Sequence, residues 1–170
     1  ELVKGRAYGA HGDEAAWSAQ TALQLALSTL LRLFAPVLSF TAEEAWSHFA
    51  RDPNDSVFLH TAYALPPVSD AGGLIHRWGL VREARAEVQK ELELVRARGE
   101  IGASLQAEVE VRAGGERLAA LRALGDDLRF VLISSQASVV EDAQSAVRVR
   151  PSAHAKCPRC WHYRADVGSD

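Results

Sequence analysis

At 170 residues with 48% hydrophobic side chains, the chain can bury a substantial core as one domain or two small ones. The 19 Lys and Arg against 22 Asp and Glu leave a net charge of −3, so the overall field attracts no polyphosphate and any nucleic-acid contact must come from a local patch. The apolar stretch over residues 23–38 is broken by Gln24, Arg32 and Pro36 and lies too far along the chain for a signal peptide. No membrane insertion is expected.

Leu23, Leu27, Leu30, Leu31 and Phe34 recur at spacings of three and four, which predicts one apolar stripe on a helix over residues 13–34, ended by Pro36. The run "TAEEAW" predicts a second helix, with Thr41 as its cap, Glu44 completing a capping box, and Ala45, Trp46 and Phe49 facing the first helix. Two such helices make a poor independent core, so the segment reads as part of a larger bundle. Residues 54–73 shift to Pro, Asp, Ser and Gly and read as a linker. Leu74, Trp78, Val81, Val88, Leu92 and Val95 then mark the apolar face of a third helix, ended by Gly99; its charged remainder reads as a solvated, partly salt-bridged surface.

Beyond residue 104 the period changes. Leu105, Ala107, Val109 and Val111 alternate with Gln106, Glu108, Glu110 and Arg112, the repeat of a half-buried strand. Gly114 and Gly115 make a turn, and Leu118, Leu121 and Leu124 mark a short helix stopped by Gly125. The apolar run "LRFVLISS" reads as a central strand, Val139 and Val140 as the start of another, and Val147 and Val149, alternating with Arg148 and Arg150, as a last strand before Pro151. A small β-α-β module of three or four strands results, and the fold class expected is α+β.

Enzymatic signals are thin. There is no glycine-rich phosphate loop, no G-x-S-x-G and no H-E-x-x-H, so no catalytic residue is expected. The histidines (His11, His48, His60, His76, His154 and His162) are scattered, and most read as surface residues. The two carboxylates of "AEEAW" suit the positive end of a helix, and Trp17, Trp46 and Trp78 lie on apolar faces and read as core.

The end of the chain differs. Arg148, Arg150, Lys156, Arg159 and Arg164 occur with no Asp or Glu between the first and the last, and Trp161 and Tyr163 are interleaved among them. Such a patch can hold phosphates and stack an unpaired base. Cys157 and Cys160 are the only cysteines, spaced C-x-x-C, which points to a reducing, cytoplasmic setting and to metal or redox chemistry. A thioredoxin-like strand and helix do not flank them, so half of a zinc ribbon is preferred to a redox pair.

"LRLFAPVLSFTAEEAW" resembles the anticodon-binding helical bundle of the class I aminoacyl-tRNA synthetases for isoleucine, valine and leucine. With "EIGASLQAEVEVR", "LGDDLRFVLISS" and "KCPRCWHYRADVG" added, nearly the whole chain is similar to the C-terminal portion of bacterial isoleucyl-tRNA synthetases. That resemblance implies a partial anticodon-binding bundle over residues 1–65, a linker and long helix over 66–102, a small mixed α/β junction module over 103–152 and a truncated zinc ribbon over 153–170. It further implies a monomeric parent that joins isoleucine to its tRNA, with tRNA for isoleucine as partner. ATP and magnesium would serve a catalytic domain bearing HIGH and KMSKS motifs, neither of which occurs here. By motif position Cys157 and Cys160 correspond to two zinc ligands; a second C-x-x-C pair lies downstream in the family, so the ribbon is expected to be incomplete at Asp170 and the tail from about His154 mobile or held by a neighbouring molecule. Two other readings stand beside this one: a zinc-ribbon fragment of a formamidopyrimidine-type DNA glycosylase, which would lack the "FAPVLSFTAEEAW" element, and a non-catalytic protein-interaction module.

Overall fold

The computed structural model describes residues 14–168; residue 13, the expected start of the first helix, and His11 lie outside them. The described residues form two compact units, 14–69 and 70–168.

In the first unit, α1 (Glu14–Phe34) is followed after a short turn by α2 (Ser39–Phe49) and a single 3-10 turn, Val57–Leu59. Leu31, Ala35, Ala42, Trp46 and Val57 form its core, with Ala45 and Phe49 packed against it, as the sequence predicts for α2. The expected cap differs. α2 starts at Ser39, so Thr41 lies within the first turn, Leu38 occupies the cap position without a side-chain bond, and the Ser39 hydroxyl donates to the Ala35 carbonyl at 3.0 Å. Glu43 receives the amide of Val57 and the hydroxyl of Ser56, each at 3.0 Å, and so ties the 3-10 turn to α2.

The long apolar stripe of α1 is only partly covered. Leu31 is buried, whereas Leu23, Leu27, Leu30 and Phe34 are between 42% and 49% exposed, and Trp17, expected in the core, is 61% exposed. The reason is length: the 21 residues of α1 extend about 32 Å and the 11 of α2 only about 16 Å, so α2 reaches half of its neighbour at most.

The second unit is built on α3 (Ala71–Ala97), a three-stranded sheet and two short helices. Asp70, at φ 54°, caps α3 by accepting the Gly73 amide, and a Cβ at Gly73 would displace that capping carboxylate. The expected linker therefore stops at residue 70, and Gly72 and Gly73 belong to the helix. Val81, Ala84, Val88, Leu92 and Val95 are buried, but Leu74 and Trp78 at the start of α3 are 37% and 38% exposed.

Strand β1 (Ala107–Ala113) is central, β2 (Gln136–Glu141) runs parallel to it and β3 (Ala146–Pro151) antiparallel. Val109 lies between Ala137 and Val149, and Val111 between Val139 and Val147, so one face of the sheet is apolar and joins the core with α3. The crossover from β1 to β2 carries α4 (Gly115–Arg122) and α5 (Leu128–Leu132). The run "LRFVLISS", read from sequence as a strand, is thus a helical turn: Leu128, Val131 and Leu132 meet the core at helical spacing, and the chain reverses at Ile133, φ 58°. A short apolar run has no decisive period, and the parallel pairing of β2 demanded a crossover through this segment.

Candidate nucleic-acid interface

After β3 the chain makes a small knuckle. β4 (Ala155–Lys156) and β5 (Tyr163–Arg164) pair antiparallel. Between them the Cys157 amide donates to the His162 carbonyl at 2.8 Å, and the Trp161 amide to the Cys157 carbonyl at 2.9 Å. The backbone amides of Cys160 and Arg159 bond the Cys157 sulfur and, with the Cys160 side chain and nearby Arg164, hold its thiol below the usual range. Cys157 is half-buried and Cys160 exposed.

The knuckle is docked on the module. The Tyr163 amide donates to Ser135 Oγ at 2.6 Å, and that hydroxyl in turn donates to the Leu105 carbonyl. Ser135 itself is buried. The His162 ring stands edge-on against Phe130, with centroids 5.5 Å apart, and burial pushes the imidazole pKa down. From the sheet side, Glu108 accepts the Ser152 hydroxyl at 2.8 Å and the Arg150 Nε at 3.0 Å, fixing the strand that feeds the knuckle.

The expected basic patch divides into two kinds of cation. Arg150 is paired with Glu108, and Arg164 grips Asp166 through two bonds of 2.8 and 2.6 Å. Arg148, Lys156 and Arg159 are exposed and have no ion pair among the described residues. Lys156 Nζ lies 5.5 Å from the centroid of Trp161, whose ring is 60% exposed at φ 65°. Tyr163 is half-buried beside them.

For zinc, a closed structural site needs four Cys or His ligands. Among the described residues no three His, Cys, Asp or Glu side chains converge on one point. His162 turns Nδ1 to the Cys160 carbonyl at 3.0 Å, and His154 Nε2 lies 3.8 Å from Glu108, so neither supplies the missing donors. Among the described residues the knuckle offers two sulfur donors and no complete site.

The helical unit holds a cleft of its own, of about 430 Å³. Along α1 it is lined by Gln24, Ser28 and Arg32, and opposite by Trp46, Arg51 and Tyr63. The Arg32 guanidinium lies over both the Trp46 and the Tyr63 ring, 5.3 and 5.2 Å from their centroids. Asp55 accepts the Trp46 indole N–H at 3.2 Å and bonds His60 Nε2 at 2.8 Å; these bonds, that to His60 foremost, hold its carboxyl below the ordinary range.

Residues 1–111 match the family of the anticodon-binding domain of tRNA ligases. The chain belongs to that family. Its relatives include the isoleucine–tRNA ligases of Cupriavidus taiwanensis, 52% identical over 99% of this chain, Bordetella avium, 52% over 100%, and Paraburkholderia phytofirmans, 53% over 100%. This chain spans 18 to 19% of the length of those three proteins.

Within this chain, the structure brings Lys156, Arg159, Trp161, Tyr163 and Arg164 onto one knuckle and places Arg148 and Arg150 on the adjoining strand. Sequence reasoning missed the Arg32 cluster. Its signal was present: Gln24, Ser28 and Arg32 recur every fourth residue along a helix that is otherwise mostly apolar, which puts three hydrogen-bonding groups on one stripe.

Proposed function

We propose that the chain is the tRNA-reading, anticodon-arm part of an isoleucine–tRNA ligase, acting in the cytoplasm. The observation that carries this reading is the run of about 52% identity along the whole chain to isoleucine–tRNA ligases, centred on an anticodon-binding family match. The geometry supports it: unpaired bases in an open loop can be stacked on an exposed aromatic beside free cations, as Trp161 is beside Lys156. Arg148, Lys156 and Arg159 contact phosphate, Trp161 and Tyr163 meet bases, and Arg150 and Arg164 join only by exchanging their acidic partners. In the parent ligase Cys157 and Cys160 would hold a zinc ion together with two ligands from outside the described residues, and that metal would stiffen the knuckle; this chain alone is expected to lack the ion or to hold it incompletely.

Adenylate formation with ATP and magnesium belongs to the part of the ligase that bears HIGH and KMSKS. This chain alone is therefore inactive in isoleucine-dependent exchange of pyrophosphate into ATP. The test pairs that exchange assay with binding of isoleucine and valine tRNA transcripts at low salt. No exchange and preferential binding of the isoleucine transcript are expected; measurable exchange, or equal binding of both transcripts, would overturn the assignment.

A further inference from the structure

We propose that Glu108 is an internal stand-in for phosphate: it occupies Arg150 and withholds that cation from RNA, which limits the sequence-independent grip of the basic patch on the backbone. This rests on the tRNA-binding reading and adds a specificity-determining residue to it. The pairing of β1 with β3 sets two acids against two arginines, Glu108 opposite Arg150 and Glu110 opposite Arg148. Only one of the two arginines is held. Glu110 is taken by its own strand neighbour, accepting the Arg112 Nε at 3.0 Å, while Arg112 reaches on to Asp142 at 3.2 Å, and Arg148 stays open. Glu108 instead takes both Nε and Nη2 of Arg150, at 3.0 and 2.9 Å.

The burial of the pair is one-sided. The Glu108 side chain is 10% exposed and that of Arg150 78%. A carboxylate sunk in the central strand keeps its charge only when its oxygens are bonded, and here Arg150 bonds one oxygen and the Ser152 hydroxyl, at 2.8 Å, the other. The guanidinium lies in water, within reach of an incoming phosphate. That phosphate must take Arg150 from an acid that would be left buried with its charge uncompensated, a penalty that Arg148, Lys156 and Arg159 do not carry. Arg164 differs as well, because its partner Asp166 is 59% exposed and regains water when the pair opens.

The segment that Glu108 touches is also held without it. β3 pairs with β1 along its length, from Ala146 opposite Arg112 to Pro151 opposite Ala107, and the Ser152 amide donates to the Gln106 carbonyl at 2.8 Å. Loss of the Glu108 charge therefore leaves the strand in place and changes the surface. The depression of about 530 Å³ along this edge is lined by Arg98, Arg148 and Arg150 and by Glu91, Glu108 and Glu110, and its charges balance only while Glu108 is ionised. Neutralising that one acid turns the edge positive and gives any phosphate backbone a further cation to hold.

The test titrates the 170-residue chain, wild type and Glu108→Gln, across salt with two probes, the isoleucine tRNA transcript and a blunt RNA duplex. Glutamine keeps an acceptor for the Ser152 hydroxyl and removes the charge. The variant is expected to bind both probes more tightly, about fivefold at roughly 0.1 M salt, with the slope of log K against log salt steeper by about 0.7, the share of one added phosphate contact. Adding Arg150→Ala to Glu108→Gln should return affinity and slope to wild type. If the transcript binds but Glu108→Gln stays within about twofold of wild type or binds more weakly, Glu108 is a structural staple only. If the gain survives Arg150→Ala, the withheld cation is not Arg150. Either result overturns the proposal and leaves the tRNA reading standing. A measurement on the wild-type chain needs no variant to fold: the Arg150 Nε–H resonance should keep its position when the transcript is added, and its displacement by bound RNA would show that the pair opens and overturn the proposal too. If neither probe binds the wild-type chain at low salt, the tRNA reading fails and this role of Glu108 with it.

Discussion

Ser135 is the residue on which the knuckle turns. It lies just before β2, is 3% exposed, and its single hydroxyl accepts the Tyr163 amide while donating to the Leu105 carbonyl. Replacing it with alanine leaves both backbone groups without partners in a dry setting, at a cost of about 1–3 kcal/mol. Ser135→Ala should lower the urea midpoint accordingly and speed hydrogen exchange at Tyr163; exchange at Tyr163 unchanged from wild type would mean that the knuckle is held by other contacts. Nothing near Cys157 in sequence pointed to Ser135, which is 28 residues from Tyr163. The same distance problem distorted the basic patch. The acid-free interval around Arg150 was read correctly along the chain, but its neutralising partner, Glu108, sits 42 residues upstream and arrives only through strand pairing. Charge patterns are local in sequence and ion pairs are not.

Among elements, those with a sustained period were legible and those without it were not. The face of α3 from Val81 to Val95 and the alternation of β1 and β3 follow the sequence, because each repeats over several turns or residues and one side is buried. α5 was missed because five residues carry too little periodicity to separate a buried helical turn from a buried strand. The crossover elements nonetheless hold the core: Leu121 of α4 is fully buried among α3 and the sheet, and Leu121→Ala should cost about 2–5 kcal/mol in denaturant unfolding. A loss below about 1 kcal/mol would show that α4 does not pack as described. The same helix is clamped to α3 by Arg117, which holds Glu87 through bonds of 2.9 and 2.6 Å and keeps its carboxyl below 4.5. Because the folded carboxyl is depressed, its stabilising contribution is complete above the unfolded value and is lost as pH falls below about 4.5 toward the folded one. Glu87→Gln should therefore flatten the acid side of the stability–pH curve and change stability little at pH 7, since the glutamate is half exposed and water screens the pair. Parallel curves for the two proteins below about pH 4.5 would show that Glu87 takes no part in the acid response.

At the scale of the whole molecule, a net charge of −3 means that the proposed binding to tRNA depends on which cations are open, not on how many there are. Of the five basic residues gathered near the knuckle, Arg150 and Arg164 are held by Glu108 and Asp166, while Arg148, Lys156 and Arg159 have no acidic partner among the described residues. Each cation that neutralises a phosphate of an unpaired strand releases counterions and contributes about −0.7 to the slope of log K against log salt. Three open cations predict a share of about −2 for the patch, whereas all five would give about −3.5. The measurement is the difference in slope between the wild-type chain and the triple variant Arg148→Ala, Lys156→Ala, Arg159→Ala, which cancels any contribution from cations elsewhere on the chain. A difference near 2 is expected, with alanine at Arg150 or Arg164 changing the slope far less. If the triple variant keeps the wild-type slope, phosphate is held elsewhere on the chain; if the Arg150 and Arg164 substitutions remove as much as the other three, tRNA binding breaks the ion pairs with Glu108 and Asp166 and draws those arginines onto the backbone.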